Sequence, residues 1–320
     1  MRKKAIGLTY GDPASIGPEI LQETLKRWRF NLKPIVIGAK HVIFKDPIIK
    51  KNDIAFYEVD SLTNYFVHGK PTKSSGLHSY FCLKEVVSLA TKNKIVAVVT
   101  GPVSKLAIDK AGIPFKGQTE EIAKLCGLSE EKVIMLFVAR DLRIALYTRH
   151  IPVSSIDRNI RKKEFVKYIL LLNQEYRKWF SKNRSKNPKI AVLGLNPHAG
   201  ENSLFGNEEK EIILPAVKLL KSKGLNISGP YSPDGMLGQA GQNYLSGKRQ
   251  EYDLYVSFYH DQCLPMFKAV AGFDGVNVTL GLPFLRVSVD HGTAFDIAGK
   301  NKASNKGLIS AIKLAEKLIG

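Results

Sequence analysis

The chain has 320 residues, 44% of them hydrophobic and 24% charged, with 26 Gly and 15 Pro, which favours two globular domains with sizeable cores and excludes a fibrous or wholly disordered protein. Its 48 Lys and Arg against 29 Asp and Glu leave a net charge of +19, and 11 of the basic residues stand between Arg158 and Lys189 against only Glu164 and Glu175. Three widely spaced cysteines, Cys82, Cys126 and Cys263, form no CxxC pair, so they build neither a disulfide framework nor a thiolate zinc site and point to a reducing compartment.

The opening MRKKAIGLTY is too short in its apolar run for a signal peptide or a membrane span, so a cytoplasmic protein without a membrane partner is expected. Apolar, β-branched runs follow in chain order at Ala5–Thr9, Pro34–Ile37, Ile95–Thr100, Val133–Val138, Arg143–Tyr147, Lys189–Leu195, Leu254–Phe258 and Leu285–Val289. Helical patterns lie between them at Gly17–Arg29, His78–Thr91, Thr119–Cys126, Arg161–Phe180, Glu208–Lys223 and Lys306–Ile319. Strand and helix alternate, which predicts an α/β protein with a largely parallel sheet. The basic stretch falls on the 161–180 pattern, where Phe165, Ile169, Leu172 and Tyr176 recur at helical spacing. A solvated lysine-rich face is the simpler reading there, and no RNA-binding signature accompanies it, so no nucleic-acid partner is expected. The seam is placed near Cys126–Glu130, with a return after the strand ending near Ser257. The resulting domains are 1–126 plus 259–320 and 127–258, with the active site in the cleft between them.

Open parallel sheets bind ligands at the carboxyl ends of their strands. Four of the seven histidines, His150, His198, His260 and His291, directly follow a strand, whereas His41, His68 and His78 read as surface or helix-start residues. One such histidine is as readily a helix cap. Together, His150, His198 and His260 form a set of imidazoles that suits zinc or a similar divalent ion with a position open for substrate, although no local spacing such as HExxH supports it. Asp234 and Asp261 are candidates for a fourth ligand or for orienting an imidazole, and Asp234 reads equally as a turn residue after Pro233. GxGxxG is absent, and the loop Gly11–Gly17 lacks the Lys-Ser/Thr of a phosphate loop, which disfavours a standard Rossmann site. Lys268, Asn277 and Arg286 are potential anion donors downstream of His260, and Cys263 invites a nucleophile reading without any partner fixed by sequence.

The strings GDPASIGPE (11–19), TGPVSKLA (100–107), GQTE (117–120), LNPHAGE (195–201), YHDQCLP (259–265) and GVNVTLGLPFLRVSVDHGTAFDIAG (275–299) resemble the 4-hydroxythreonine-4-phosphate dehydrogenase family of pyridoxal 5′-phosphate biosynthesis over almost the whole chain. The resemblance implies a two-domain α/β/α fold with largely parallel sheets, related to isocitrate and isopropylmalate dehydrogenases, and a homodimer with shared active sites. It implies a divalent metal on His150, His198 and His260, zinc first with magnesium or cobalt as alternatives. Gln118, Thr119, Lys268, Asn277 and Arg286 then contact a phosphorylated hydroxy amino acid, while Gly292, Thr293 and Ala294 belong to the loop for NAD or NADP. The implied reaction is NAD-dependent oxidation of the 3-hydroxyl of 4-phosphohydroxy-L-threonine, followed by decarboxylation to 3-amino-2-oxopropyl phosphate. Three positions depart from the family: Ser15 and Cys263 each replace a Gly, and Gln118 replaces a His. Gln hydrogen-bonds but carries no proton, which keeps open a sister enzyme acting on threonate or erythronate 4-phosphate. A reading of another class is a basic RNA-binding or adaptor protein that keeps the fold without catalysis.

Overall fold

The computed structural model describes residues 3–43, 49, 54–60, 65–181 and 187–320. In chain order the strands are β1 (Ala5–Thr9), β2 (Lys33–Gly38), β3 (Ala55–Glu58), β4 (Ala97–Thr100), β5 (Ile134–Ala139), β6 (Leu142–Leu146), β7 (Ile190–Leu193), β8 (Ile227–Tyr231), β9 (Leu254–Ser257), β10 (Val276–Leu280) and β11 (Leu285–Val289). The longer helices are α1 (Gly17–Lys26), α2 (Lys73–Thr91), α3 (Lys105–Lys110), α4 (Gln118–Leu125), α5 (Lys162–Phe180), α6 (Leu214–Ser222), α7 (Pro233–Leu245), α8 (His260–Ala271) and α9 (Lys306–Ile319). No helix among the described residues is long and apolar enough to cross a membrane.

The contacts divide the chain into one unit of Met1–Val133 with Val276–Gly320 and another of Ile134–Gly275. The seams therefore fall later than 126/127 and 258/259. The reason is packing: Cys263, Leu264, Phe267 and Ala271 of α8 join the core formed by Leu142, Ile144, Ala191 and Tyr255, so His260 travels with the second unit.

In the first unit the strands run in the order β3-β2-β1-β4-β11-β10, parallel except for the antiparallel pair β10–β11. Ile6–Thr9 and Ala97–Thr100 are buried throughout, as expected for central strands with both faces covered. Helix α2 starts at a reciprocal cap, with Thr72 Oγ1 accepting from Ser75 N–H and Ser75 Oγ accepting from Thr72 N–H, both at 3.1 Å. Gly76 on that helix lets α3 approach, because a Cβ there would stand 2.0 Å from the Ala107 carbonyl oxygen.

In the second unit β5 and β6 form an antiparallel hairpin, and β6, β9, β7 and β8 are parallel neighbours in that order. The amphipathic helix α5 buries Phe165, Ile169, Leu172, Tyr176 and Phe180, leaving Lys162, Lys163 and Arg177 in solvent. The expected 208–223 helix begins as a single π turn at Glu209–Ile213 and becomes α-helical only from Leu214.

His78 corrects one expectation. It is 2% exposed and lies inside α2, where the Tyr10 phenol, itself accepting from Ala39 N–H at 2.9 Å, donates to Nε2 at 2.6 Å. Nearby, Asp12 accepts from Ala14 N–H at 2.9 Å and from the Ser75 hydroxyl at 3.3 Å. Burial pushes the Asp12 carboxyl up to about 6 against those hydrogen bonds, and burial, aided by the His41 charge, pushes His78 down to about 4. The two act oppositely on stability. As pH falls through 6, folded Asp12 takes a proton before the unfolded chain does, which stabilises. As pH falls below 6.5, the unfolded chain's His78 takes a proton before the folded one, which destabilises. Removing the first contribution with Asp12→Asn should steepen the loss of stability between pH 6.5 and 4 by about 2 kcal/mol relative to wild type. Urea unfolding at half-unit pH steps measures this, and parallel stability curves for the two proteins would disprove it.

Candidate active site

The parallel order β6-β9-β7-β8 delivers four polar residues to one edge of the second unit: His150 after β6, His260 after β9, His198 after β7 and Asp234 after β8. Hydrogen bonds between the strand ends hold the first two together. Tyr147 N–H donates to the Ser257 carbonyl at 2.8 Å, Thr148 N–H to the Phe258 carbonyl at 3.0 Å, and the Thr148 hydroxyl to the same carbonyl at 2.5 Å. The rings of His150 and His260 stand 5.8 Å apart between centroids. His260 Nδ1 lies 2.5 Å from Asp261 Oδ1, so Asp261 orients the ring and leaves Nε2 as the free donor.

Gln262 ties this edge to β7. Its Oε1 accepts from the Ser257 hydroxyl and from Phe258 N–H, both at 2.8 Å, while its Nε2 donates to the Gly194 carbonyl at 2.7 Å. Beyond Gly194 the buried Glu209 carboxylate accepts from Leu195 N–H at 2.7 Å and Asn196 N–H at 2.8 Å. Six consecutive residues, His198 to Ser203, then take positive φ between 40° and 81°. Five of them are not Gly, a conformation that persists only where surroundings impose it. His198 is exposed on that turn. The exposed Asp234 carboxyl is held below its ordinary range, first by hydrogen bonds from the Ser232 hydroxyl and Gly235 N–H and then by the charge of His198. Among the described residues of one chain, no three His, Cys, Asp or Glu gather closely enough to hold a metal ion. What fits a divalent ion is the paired imidazoles of His150 and His260 with an acid on the outer nitrogen. Lys268, on α8, is exposed. Cys263 is fully buried and burial pushes its thiol up to about 12, so it is a packing residue and not a nucleophile.

The first unit gathers the other candidates at the carboxyl end of β4. Gly11, at φ +77°, brings its loop against Pro102, whose carbonyl accepts from Asp12 N–H at 2.9 Å. Ser15 fixes that loop: its hydroxyl donates to the Asp12 carbonyl at 2.6 Å and accepts from Gly17 N–H at 3.0 Å. Gln118 donates through Nε2 to the Gly101 carbonyl at 3.1 Å, which leaves its buried Oε1 an acceptor without a donor. Thr119 is buried beside it in sequence. Arg286, 2% exposed, donates to Thr100 Oγ1 at 2.8 Å and Thr279 Oγ1 at 3.0 Å. Burial lowers its pKa to about 10, partly countered by the Glu120 charge, so it remains a cation at neutral pH. Among the described residues no carboxylate pairs with it. Asn277, on β10, is 8% exposed and its Oδ1 likewise lacks a donor. The expected cofactor residues lie in a stretch without helix or strand, in which Ala294 has φ +41° and Gly292 is exposed with nothing within 4 Å of where a Cβ would sit. That open backbone fits the approach of a dinucleotide.

Sequence reasoning singled out the imidazoles and Arg286 but missed Gln262 and Glu209, which position them. The signal was present in YHDQ and in the acid pair after the Gly206 turn. Neither residue type announces that its partners are backbone groups two strands away.

A family model described as pyridoxal phosphate biosynthetic protein PdxA matches residues 11–315. A 4-hydroxythreonine-4-phosphate dehydrogenase from a Sulfurihydrogenibium species is 35% identical over 325 residues, 97% of each chain. A protein of Oceanobacillus iheyensis, provisionally named a D-threonate 4-phosphate dehydrogenase, is 34% identical over 99% of this chain and 98% of its own. The crystal structure of 4-hydroxythreonine-4-phosphate dehydrogenase from Klebsiella pneumoniae matches with a TM-score of 0.83 and 29% identity, covering 99% of this chain and 100% of that one. The chain belongs to the PdxA family.

Replacing Gln262 by Leu would leave Phe258 N–H and the Gly194 carbonyl unpaired at about 1–3 kcal/mol each. A loss of about 2–4 kcal/mol in urea unfolding is expected, and less than 0.5 kcal/mol would show that the side chain does not tie these strand ends.

Proposed function

We propose that this chain is an NAD-dependent dehydrogenase that oxidises the 3-hydroxyl of 4-phosphohydroxy-L-threonine and releases carbon dioxide to leave 3-amino-2-oxopropyl phosphate. The observation that carries the reading is Arg286, a buried guanidinium whose hydrogen bonds go to the Thr100 and Thr279 hydroxyls and which, among the described residues, has no carboxylate in salt-bridge contact, the Glu120 charge acting on it from farther away. A buried cation calls for an anion, and its Nε–H and remaining terminal N–H groups suit phosphate oxygens. Lys268 is the second cation that this reading assigns to the phosphate. Gln118 Oε1 and Asn277 Oδ1, each lacking a donor, supply acceptors for substrate hydroxyl or ammonium groups.

His150, His198 and His260 would hold the divalent ion, with zinc preferred by an all-imidazole set and magnesium or cobalt as alternatives. When bound, the ion supplies Lewis acidity at the reacting hydroxyl, and NAD, or NADP, accepts the hydride over the loop carrying Gly292, Thr293 and Ala294. The chain's own share is positional. Asp261 fixes the His260 ring, Gln262 and Glu209 fix the two strand ends, and Arg286 anchors the charged end so that the C3–H bond faces the dinucleotide. The proposal includes a cytoplasmic homodimer with shared sites, one imidazole reaching across to the metal of the other copy. The neighbouring rings of His150 and His260, with no triad in one chain among the described residues, support that sharing.

A second reading, a threonate or erythronate 4-phosphate as substrate, rests on the amide at Gln118 and on the Oceanobacillus iheyensis relative. Steady-state NADH formation with each phosphorylated substrate and added zinc separates the two. Gln118→His should change the ratio of kcat/KM between the substrates by at least about fivefold while the melting temperature stays within 2 °C. A shifted melting point with unchanged kinetics would make Gln118 structural.

His150→Ala, His198→Ala and His260→Ala should each be inactive and bind no metal. Mixing two variants yields heterodimers as about half of all dimers, and pairing the crossing ligand's variant with either other one restores one site of two, about a quarter of wild-type activity. The mixture of the two same-chain variants stays inactive. No recovery in any mixture, with heterodimers demonstrated, would place the metal within one subunit.

A further inference from the structure

Two stretches that carry no regular structure, the turn Asp12–Ile16 and the segment from Asp290 to Ser304, meet through backbone groups, and one side chain organises the meeting. Ile16 N–H donates to the Thr293 carbonyl at 3.1 Å. Glu19, in the first turn of α1, is 8% exposed. Its Oε2 accepts from Gly299 N–H at 3.0 Å and Asn301 N–H at 3.3 Å, and its Oε1 accepts from Ala303 N–H at 3.2 Å. Three alternate amides of a segment that has no ladder of its own therefore converge on one carboxylate. The backbone between them is unusual, with Gly299 at φ +75° and Asn301 at φ +53°, so the amides point inward only while something receives them.

Packing holds the start of this segment, where Ala298 is buried and Gly299 lies close against the His68 ring. Beyond it, a cavity of about 300 Å³ lies against the segment, lined by Glu19, Glu23, Arg27, Asn301 and Ser304 among others. Hydrogen bonding to an ionised acceptor, stronger than between neutral groups, is what sets the position of that later part.

We infer that Glu19 is a positioning residue for the dinucleotide: it acts through the Gly299–Ala303 backbone to hold Gly292, Thr293 and Ala294 where the cofactor docks. This rests on the cofactor reading of that loop given above. Glu19 touches neither substrate nor dinucleotide in this account, so its loss should weaken dinucleotide binding without slowing the chemical step at saturation.

Glu19→Gln keeps the shape, but its NH2 group faces backbone donors and can accept nothing from them. Titration calorimetry of wild type and Glu19→Gln with NAD, together with hydrogen exchange at Gly299, Asn301 and Ala303, tests the inference without relying on turnover. The expected result is about tenfold weaker NAD binding, at least tenfold faster exchange at those amides, and kcat and the KM for the phosphorylated substrate within about twofold of wild type. Glu19→Asp, which retains the charge but shortens the reach, should fall between the two, and it serves if the Gln variant does not fold. Equal NAD affinity in wild type and variant, or a fall in kcat with NAD affinity unchanged, would overturn the inference while leaving the dehydrogenase reading intact. A wild-type protein that binds neither NAD nor NADP would overturn both.

Discussion

Parallel pairing makes every strand of a run finish at the same edge, and the rest of this molecule follows from that constraint. In the second unit it sets the residues after β6, β9, β7 and β8 along one edge, although neighbours such as Thr148 and Phe258 are separated by 110 positions in the chain. No local motif is needed to assemble the histidines. The first unit uses the same rule at β1 and β4, where the residues after each strand, Asp12 and Pro102, meet, while Arg286, near the start of β11, reaches the end of β4 through its side chain on Thr100. The cost is that backbone groups beyond the last ladder hydrogen bond need partners, and the structure supplies them with side chains. Gln262, Glu209 and Glu19 each serve two or three such groups.

The residues that do chemistry and those that hold them were unequally visible in the sequence. The runs Ala5–Thr9 and Leu285–Val289 matched observed strands residue for residue, the first as a nearly continuous apolar run and the second through Leu285, Val287 and Val289 alternating with Arg286 and Ser288. β8 was not legible: Gly229-Pro230 interrupts it, and most of its residues are only partly buried. Helix α7 was hidden by Gly235, Gly238 and Gly241, and α8 by Pro265. β10 alternates Val276, Val278 and Leu280 with Asn277 and Thr279, a strand pattern of only five residues, masked by the polar pair within it. His78 shows the reverse error. Its neighbours Ser79 and Tyr80 look like a helix start, yet the phenol that receives it lies 68 positions away.

His150, His198 and His260 follow the strand ends of β6, β7 and β9 in the structure. The candidates carried by resemblance alone, the cofactor loop above all, sit in backbone whose conformation is dictated from elsewhere in the chain. That distinction is physical: a strand end is fixed by local burial, whereas an irregular loop takes its shape from whichever groups accept its amides.

The silence of the thiols bears on how the protein behaves outside its own reaction. Cys263 sits three residues from His260, yet burial pushes its thiol up to about 12 and pushes those of Cys82 and Cys126 up as well. At neutral pH the Cys263 thiol stays protonated. Peroxides and alkylating reagents therefore find no ready nucleophile in Cys263 beside the imidazole edge.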